Sequence, residues 1–267
     1  MEFVIGNSGK GYGLLYKSSS MDEQISTYIQ ESNSFNVNVG DKLYAYKAIT
    51  DGNNYTVIFW MYTYDYSFTR GSFYKHVKWD KYSRDDFNQM AFLENITSTF
   101  ASQDDIDRLR NTGDFSINNN DNIDISFSVP IDILSSVLSV LYSGIDKKIV
   151  VVFDTPPINS NPDSDYYLRK FIRDIFTFLP TSLKISTSYI TFCDWDAFVK
   201  SEYRLTILPA SSIKDDTNDA IIIVKANQIH QNSVVNEWLN VSKLVVESDI
   251  QNRNKFFKIY DSNYGKL

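Results

Sequence analysis

Apolar and polar residues follow two rhythms along this chain, and the change from one to the other falls near its middle. In the first part the period is two. Leu43, Ala45 and Lys47 lie on one side of the segment Lys42–Ile49, and Tyr44, Tyr46 and Ala48 on the other, which is the spacing of a β-strand. Asp51-Gly52-Asn53-Asn54 follows, and then the long apolar run Tyr55–Tyr64. Two such segments around a Gly-containing turn predict a β-hairpin. Arg70-Gly71 marks a further turn, and Ser72–Trp79 reads as a third strand. A short apolar run at Tyr12–Tyr16 precedes them. Between it and Lys42, the segment Met21–Glu31 carries Ile25, Tyr28 and Ile29 at helical spacing, with Ser20 as its N-cap. An antiparallel meander is the expectation for this part.

From Ser83 to Arg110 the pattern turns helical and more polar. Asn111–Asn122, with Gly113 and the run Asn118-Asn119-Asn120-Asp121-Asn122, reads as a linker. Strands and helices then alternate. Ile123–Val129 is a strand, Pro130 suits a first helical position, and Ile131–Tyr142 is an apolar helix stopped by Ser143-Gly144. Lys148–Asp154 holds the unbroken run Ile149-Val150-Val151-Val152-Phe153, expected of a strand buried on both faces. The loop Thr155–Pro162 contains three of the six prolines. Asp163–Leu179 is a helix with Leu168, Phe171, Ile172, Ile175, Phe176 and Leu179 on one face, ended by Pro180. Leu183–Phe192, Tyr203–Leu208 and Ala220–Val224 read as strands, and Val234–Glu247 and Asp249–Tyr260 as closing helices. The predicted fold is α/β (α+β): an antiparallel β-meander in the N-terminal half, then an α/β layered half whose mixed sheet is covered by helices. Residues 1–115 and 123–267 are the two expected subdomains, with one composite domain as the alternative.

Composition narrows the function. The chain has 267 residues and a net charge of −7, and no Lys or Arg run exceeds a pair, which argues against nucleic acid as a partner. A single cysteine, Cys193, precludes an intramolecular disulfide. Met1–Gly6 lacks a basic leader region, and no apolar run nears the roughly 20 residues of a bilayer span. A cytoplasmic, non-membrane protein is therefore expected. Aromatic residues make up 15% of the chain. That fits a strand-rich core first and an interaction surface second.

No motif for catalysis emerges. Gly6-Asn7-Ser8-Gly9-Lys10-Gly11 has two residues between its first glycines where a phosphate loop has four, and Gly11 replaces the Ser or Thr. His76 and His230 stand apart from each other and from Cys193, so no metal or cofactor is implied. Cys193, in Ile190-Thr191-Phe192-Cys193, reads as a small core residue. Asp104-Asp105, Asp163, Asp194 and Asp215-Asp216 fall where helix caps and turns need a carboxylate. The most suggestive polar cluster is Tyr62–His76. There Asp65 and Arg70 flank a turn and are placed to pair, and alternation puts Tyr74 and His76 on one strand face. Asp65, Arg70, Tyr74 and His76 are the candidate partner-binding residues. The plainer alternative is a hairpin with a surface ion pair and a half-buried histidine.

These residues carry a resemblance. Gly11-Tyr12-Gly13-Leu14-Leu15-Tyr16-Lys17-Ser18-Ser19, followed by Asp65, Arg70-Gly71, Tyr74 and His76, resembles the N-terminal region of bacterial GTPase-associated proteins. Phe178-Leu179-Pro180, Leu183 and Ser186-Thr187-Ser188-Tyr189 are similar to a later segment of that family. The resemblance implies a non-enzymatic adaptor or regulatory subunit that bridges a GTPase or NTPase to other components of a bacterial conflict or defence system. It brings no catalytic residues with it. Residues 130–191 are also similar to the core of DENN modules, which implies a guanine-nucleotide exchange surface. A hydrolase or nucleotide-processing enzyme whose site only the fold assembles is the remaining alternative.

Overall fold

The computed structural model describes residues 1–18, 42–68, 72–89, 92–96, 99–117, 130–153, 164–191, 193–214, 219–225, 228–229 and 233–265. Strands β1 (Glu2–Asn7) and β2 (Tyr12–Lys17) form one hairpin, and β3 (Lys42–Asp51), β4 (Asn54–Asp65) and β5 (Ser72–Ser83) form the expected meander. The β3–β4 turn closes on Gly52 at φ 59°, a left-handed conformation that glycine adopts without a Cβ penalty. The first hairpin docks antiparallel on β5 through β1.

Three short helices follow: α1 (Arg84–Asn88), α2 (Leu93–Ile96) and α3 (Gln103–Thr112). The second half supplies α4 (Ile131–Tyr142), β6 (Lys148–Phe153), α5 (Ser164–Thr177), α6 (Thr181–Ser186), β7 (Tyr189–Thr191), α7 (Trp195–Lys200), β8 (Leu205–Pro209), β9 (Ile221–Lys225), β10 (Gln228–Ile229), α8 (Ser233–Glu247) and α9 (Ile250–Tyr264). The ten strands of the described residues share one sheet in the order β10-β9-β6-β8-β7-β3-β4-β5-β1-β2. The N-terminal strands are antiparallel, and β9, β6, β8 and β7 run parallel. The chain is thus of mixed α/β class. Strand β6 lies between two parallel neighbours with Ile149 and Val151 buried on one face and Val150 and Val152 on the other, as its unbroken apolar run predicts.

Alternation sorts the side chains into two cores. One contains Tyr44, Tyr46, Val57, Phe59 and Tyr74 together with the apolar faces of α1–α6, α8 and α9. The other contains Leu43, Ala45, Ile58, Trp60 and Val77 with Trp195 and Phe198 of α7. The parallel and antiparallel parts meet where β3 pairs β7 at only Ala45–Ile190 and Tyr46–Tyr189. Side chains extend this short seam. The Tyr44 N–H donates to Thr191 Oγ1 at 2.9 Å, and Tyr46 Oη donates to the Lys184 carbonyl at 2.9 Å. The buried Tyr46 ring lies 5.2 Å from Phe59, 4.7 Å from Phe176 and 5.7 Å from Tyr189.

Two segments depart from expectation. Among the described residues of Leu183–Phe192, only Tyr189–Thr191 is strand, because Thr181–Ser186 is helical. Pro180 starts that helix rather than leading into a strand, and its free N–H groups at Thr181 and Ser182 donate to the Asp261 carboxylate at 3.1 and 3.0 Å. A cap reaching in from a distant helix leaves no local signature. Helix α7, capped by Asp194, went unpredicted. The readings of Met21–Glu31 as a helix, Ile123–Val129 as a strand and Thr155–Pro162 as a loop lie outside the described residues, as does the whole of Asn118–Asn122.

Tyr46 is expected to dominate the seam. Tyr46→Phe orphans the buried Lys184 carbonyl and lowers unfolding free energy by about 1–2 kcal/mol. Tyr46→Ala also empties the aromatic contacts and costs about 3–5 kcal/mol. Urea denaturation followed by circular dichroism distinguishes the two.

Candidate functional site

The structure brings three of the four candidate residues together and turns all three inward. Asp65 and His76 are fully buried and Tyr74 nearly so. Arg70 lies outside the described residues.

Strand period places Tyr74 and His76 on the same face of β5, and there they grip one residue, Ala101. Tyr74 Oη donates to the Ala101 carbonyl at 3.0 Å, and the Ala101 N–H donates to His76 Nδ1 at 2.9 Å. Because Nδ1 accepts, the ring proton sits on Nε2, which donates to Glu2 Oε2 at 3.1 Å. Burial holds the His76 pKa below its usual value against the opposing bond to Glu2. That same bond, more than any other influence, holds the Glu2 carboxyl below its ordinary range. Both imidazole nitrogens are therefore occupied, and the ring has none left to accept a proton from a substrate. Gly6 lets β1 approach this cluster, since a Cβ there would meet Leu15 Cδ1 and Tyr74 Cβ at 3.1 Å.

Ala101 immediately precedes the N-cap of α3. Ser102 and Asp105 form a reciprocal capping box there. The helix so positioned delivers Arg110 to two turns of the sheet. Its guanidinium donates from Nε to the Asn7 carbonyl at 2.9 Å and from Nη1 to Asp65 Oδ1 at 3.2 Å. Nη2 bonds Asp65 Oδ2, and Nη1 also reaches Asp107 Oδ1 at 3.1 Å. The group lies 4.9 Å from the Phe68 ring centre. Burial would raise the Asp65 pKa, but hydrogen bonds from Arg110, Gln103 and the Ser67 N–H outweigh it and leave it lowered. Arg110 thus supplies a fork-like partner for Asp65. Sequence reading missed Arg110, because it lies 45 positions away in a helix that only the fold carries to the turn.

Two further reactive groups among the described residues, Cys193 and Lys148, are also engaged in the interior. Cys193 is buried beside Thr206, and burial pushes its thiol up to about 12, far from a thiolate nucleophile. Lys148 Nζ donates to the carbonyls of Phe198, Ser201 and Tyr203 around the end of α7. His230 lies outside the described residues. A cleft of about 310 Å³ opens beside Glu2, Ser18, Phe59, Lys78, Trp79 and Asp80, where the lowered Glu2 carboxyl is a poor proton donor. Asp174, whose carboxyl burial pushes up, sits on α5 with Lys170 at 3.8 Å. Among the described residues no group of His, Cys, Asp or Glu could hold a metal ion, and no helix is long and apolar enough to cross a membrane.

What the site turns outward is aromatic. Register places Tyr64 opposite Phe73, Ile5 opposite Leu14 and Asn7 opposite Tyr12, all on the sheet face away from Tyr74 and His76. Tyr62 stacks on Phe73 at 5.1 Å, Phe73 meets Tyr64 edge-on at 5.6 Å, and Tyr64 meets Tyr66 at 5.1 Å. Along this row the rings pass from buried Tyr62 to Tyr66, which is 56% exposed. Tyr12 and Leu14 on β2 are 51% and 47% exposed. Lys75 lies beneath this face with its ammonium 4.2 Å from the Trp60 ring centre, and burial lowers its pKa to about 7.

Two outcomes follow from the buried network. Arg110→Met leaves the Asp65 carboxylate buried without a countercharge and costs about 3 kcal/mol in urea denaturation. The depressed His76 pKa means that the unfolded chain binds a proton more readily than the native one below the ordinary value of 6.5. Stability therefore falls as pH drops from about 7 toward 5, before Glu2 adds its own loss below 4.5. Thermal melts of His76→Gln should lack the first of these slopes.

A scan against protein-family models finds no match for this chain, and neither does a search of curated proteins.

Proposed function

We propose that the chain is a non-catalytic protein-binding module that engages a partner protein through the aromatic face around Tyr12, Leu14, Tyr64, Tyr66 and Phe73. The observation that carries this reading is the contrast between the two sides of the site. Groups able to do chemistry are turned inward and bonded, whereas partly exposed rings line the outer face. Tyrosine and phenylalanine supply contact area at low entropic cost and are enriched in interface cores. Asp65, Tyr74, His76 and Arg110 serve this face as supports. They hold α3 and the β4–β5 turn, on which Tyr66 stands, through the Tyr66 N–H bond to Gln103 Oε1 at 3.1 Å and the Asp65–Arg110 pair.

The partner class comes from the resemblance of short patches within residues 11–191 to bacterial GTPase-associated proteins. It is a GTPase or NTPase, with the chain acting as adaptor or regulatory subunit in a conflict or defence system. A hydrolase reading calls for a pocket carboxyl with a raised pKa, and Glu2 in the described cleft has the opposite shift. An exchange module of DENN type would use a surface, as the adaptor does, and is separated from it by assay of nucleotide release.

Tagged protein is expected to recover a stoichiometric GTPase or NTPase from its native host, with recovery depending on added GTP. The double variant Tyr12→Ser/Tyr66→Ser should keep the melting temperature and lower affinity for the recovered partner by about tenfold or more. Equal affinity would remove the aromatic face from the interaction, and a wild-type protein recovered without companion would remove the adaptor reading.

A further inference from the structure

The face described above ends at β2, whose far side hydrogen-bonds to nothing among the described residues. In an antiparallel ladder, residues alternate between those that bond their partner strand and those that point N–H and C=O away from it. The Ser8 N–H donates to the Gly11 carbonyl at 3.0 Å, so Ser8–Gly11 is a bonded pair. Register then makes Gly6–Gly13 a bonded pair and Asn7–Tyr12 and Ile5–Leu14 non-bonded ones. The backbone N–H and C=O of Tyr12 and of Leu14 consequently point out of the sheet edge. After a bulge at Leu15, the Ser18 N–H bond to the Glu2 carbonyl sets the phase again, and Lys17 points its backbone outward too. The opposite edge of the sheet, β10, is only two residues long.

Such an edge is satisfied by one kind of ligand, an extended segment that continues the ladder. The side chains beside it define that segment further. Tyr12, Leu14 and Lys17 share the aromatic face, since their partners across the hairpin are Asn7, Ile5 and Phe3. Lys10 and Lys17 are exposed at the two ends of the strand. From Asn7 to Ser18 there is no acidic residue, in a chain whose net charge is −7. A second copy of β2 would set one basic strip against another. An acidic, alternately apolar segment complements both the lysines and the exposed Tyr12 and Leu14.

We propose that β2 accepts an extended segment of a partner protein as an added strand, with apolar residues facing Tyr12 and Leu14 and acidic residues beside Lys10 and Lys17. This rests on the binding-module reading and names how the partner is held. The added strand enlarges the aromatic face by one strand width and satisfies the outward amides of β2, so backbone bonds supply affinity and the flanking charges supply selection.

The test is a titration followed by fluorescence anisotropy, using a short labelled peptide of alternating valine and threonine with aspartates at both ends. Saturable binding is expected, weakened about fivefold when lysines replace the aspartates and abolished when the amides of one peptide edge are N-methylated. Leu14→Pro removes an outward N–H while leaving the bonded Gly6–Gly13 pair, and should lose the peptide with the far-ultraviolet spectrum unchanged. Lys10→Glu/Lys17→Glu, which leaves the backbone intact, should reverse the preference between aspartate and lysine ends. No binding at millimolar peptide, or equal binding by the N-methylated peptide, would overturn the inference. A concentration-dependent dimer that Leu14→Pro dissociates would overturn it in favour of a second copy. Recovery of the native partner separates this inference from the reading beneath it. A partner held by Leu14→Pro but lost by Tyr66→Ser sinks the added strand and leaves the binding module standing. If wild-type protein recovers no partner, the module reading falls, and the peptide titration alone decides the edge.

Discussion

The two-residue seam between β3 and β7 is the constraint on which the architecture depends. Ten strands form one sheet only because Ala45–Ile190 and Tyr46–Tyr189 join an antiparallel part to a parallel one. Two backbone pairs would be a weak join, and side chains strengthen it. Thr191 continues the ladder through its hydroxyl, and Tyr46 stands where rings from both parts of the chain converge. A buried aromatic ring contributes packing on every side, and its hydroxyl removes the desolvation cost of a carbonyl that the helix end leaves free. The cores on both faces cross the seam, each combining residues of the antiparallel and parallel strands.

From this frame the antiparallel part projects a second arrangement with the same logic. Helix α3 is held at its start by Tyr74 and His76 through Ala101, and near its end by Arg110 through Asp65 and Asn7. These contacts tie the ends of β1 and β4 and the middle of β5 to the helix. Buried polar groups of this kind are stable only when every partner is in place. Here the histidine tautomer, the tyrosine hydroxyl and both carboxylate oxygens are all engaged. They are bonded to one another on the sheet face opposite the aromatic row.

That division gives the site its character. Protons and charges are spent on position, and the exposed surface is made of rings and a strand edge that is unpaired among the described residues. In the binding reading proposed above, such a face would select a partner by shape and apolar contact, with the lysines at the strand ends adding a sign preference.

The strands and helices were largely legible in the residues themselves. The alternation of Leu43, Ala45 and Tyr44, Tyr46 placed β3 and its two faces, the run Ile149–Phe153 announced a central strand, and Gly52 marked a turn by local chemistry. Tyr74 and His76 were correctly placed on one face for the same reason, since period two is a property of the backbone. Tertiary structure alone decided what those side chains meet. Ala101, Arg110, Glu2 and Asp261 reach their partners across tens of residues, and no spacing rule carries over such distances because the chain between them is free to take any path until the core closes. The sequence thus specified elements through local sterics and burial, and the fold specified partners through long-range packing.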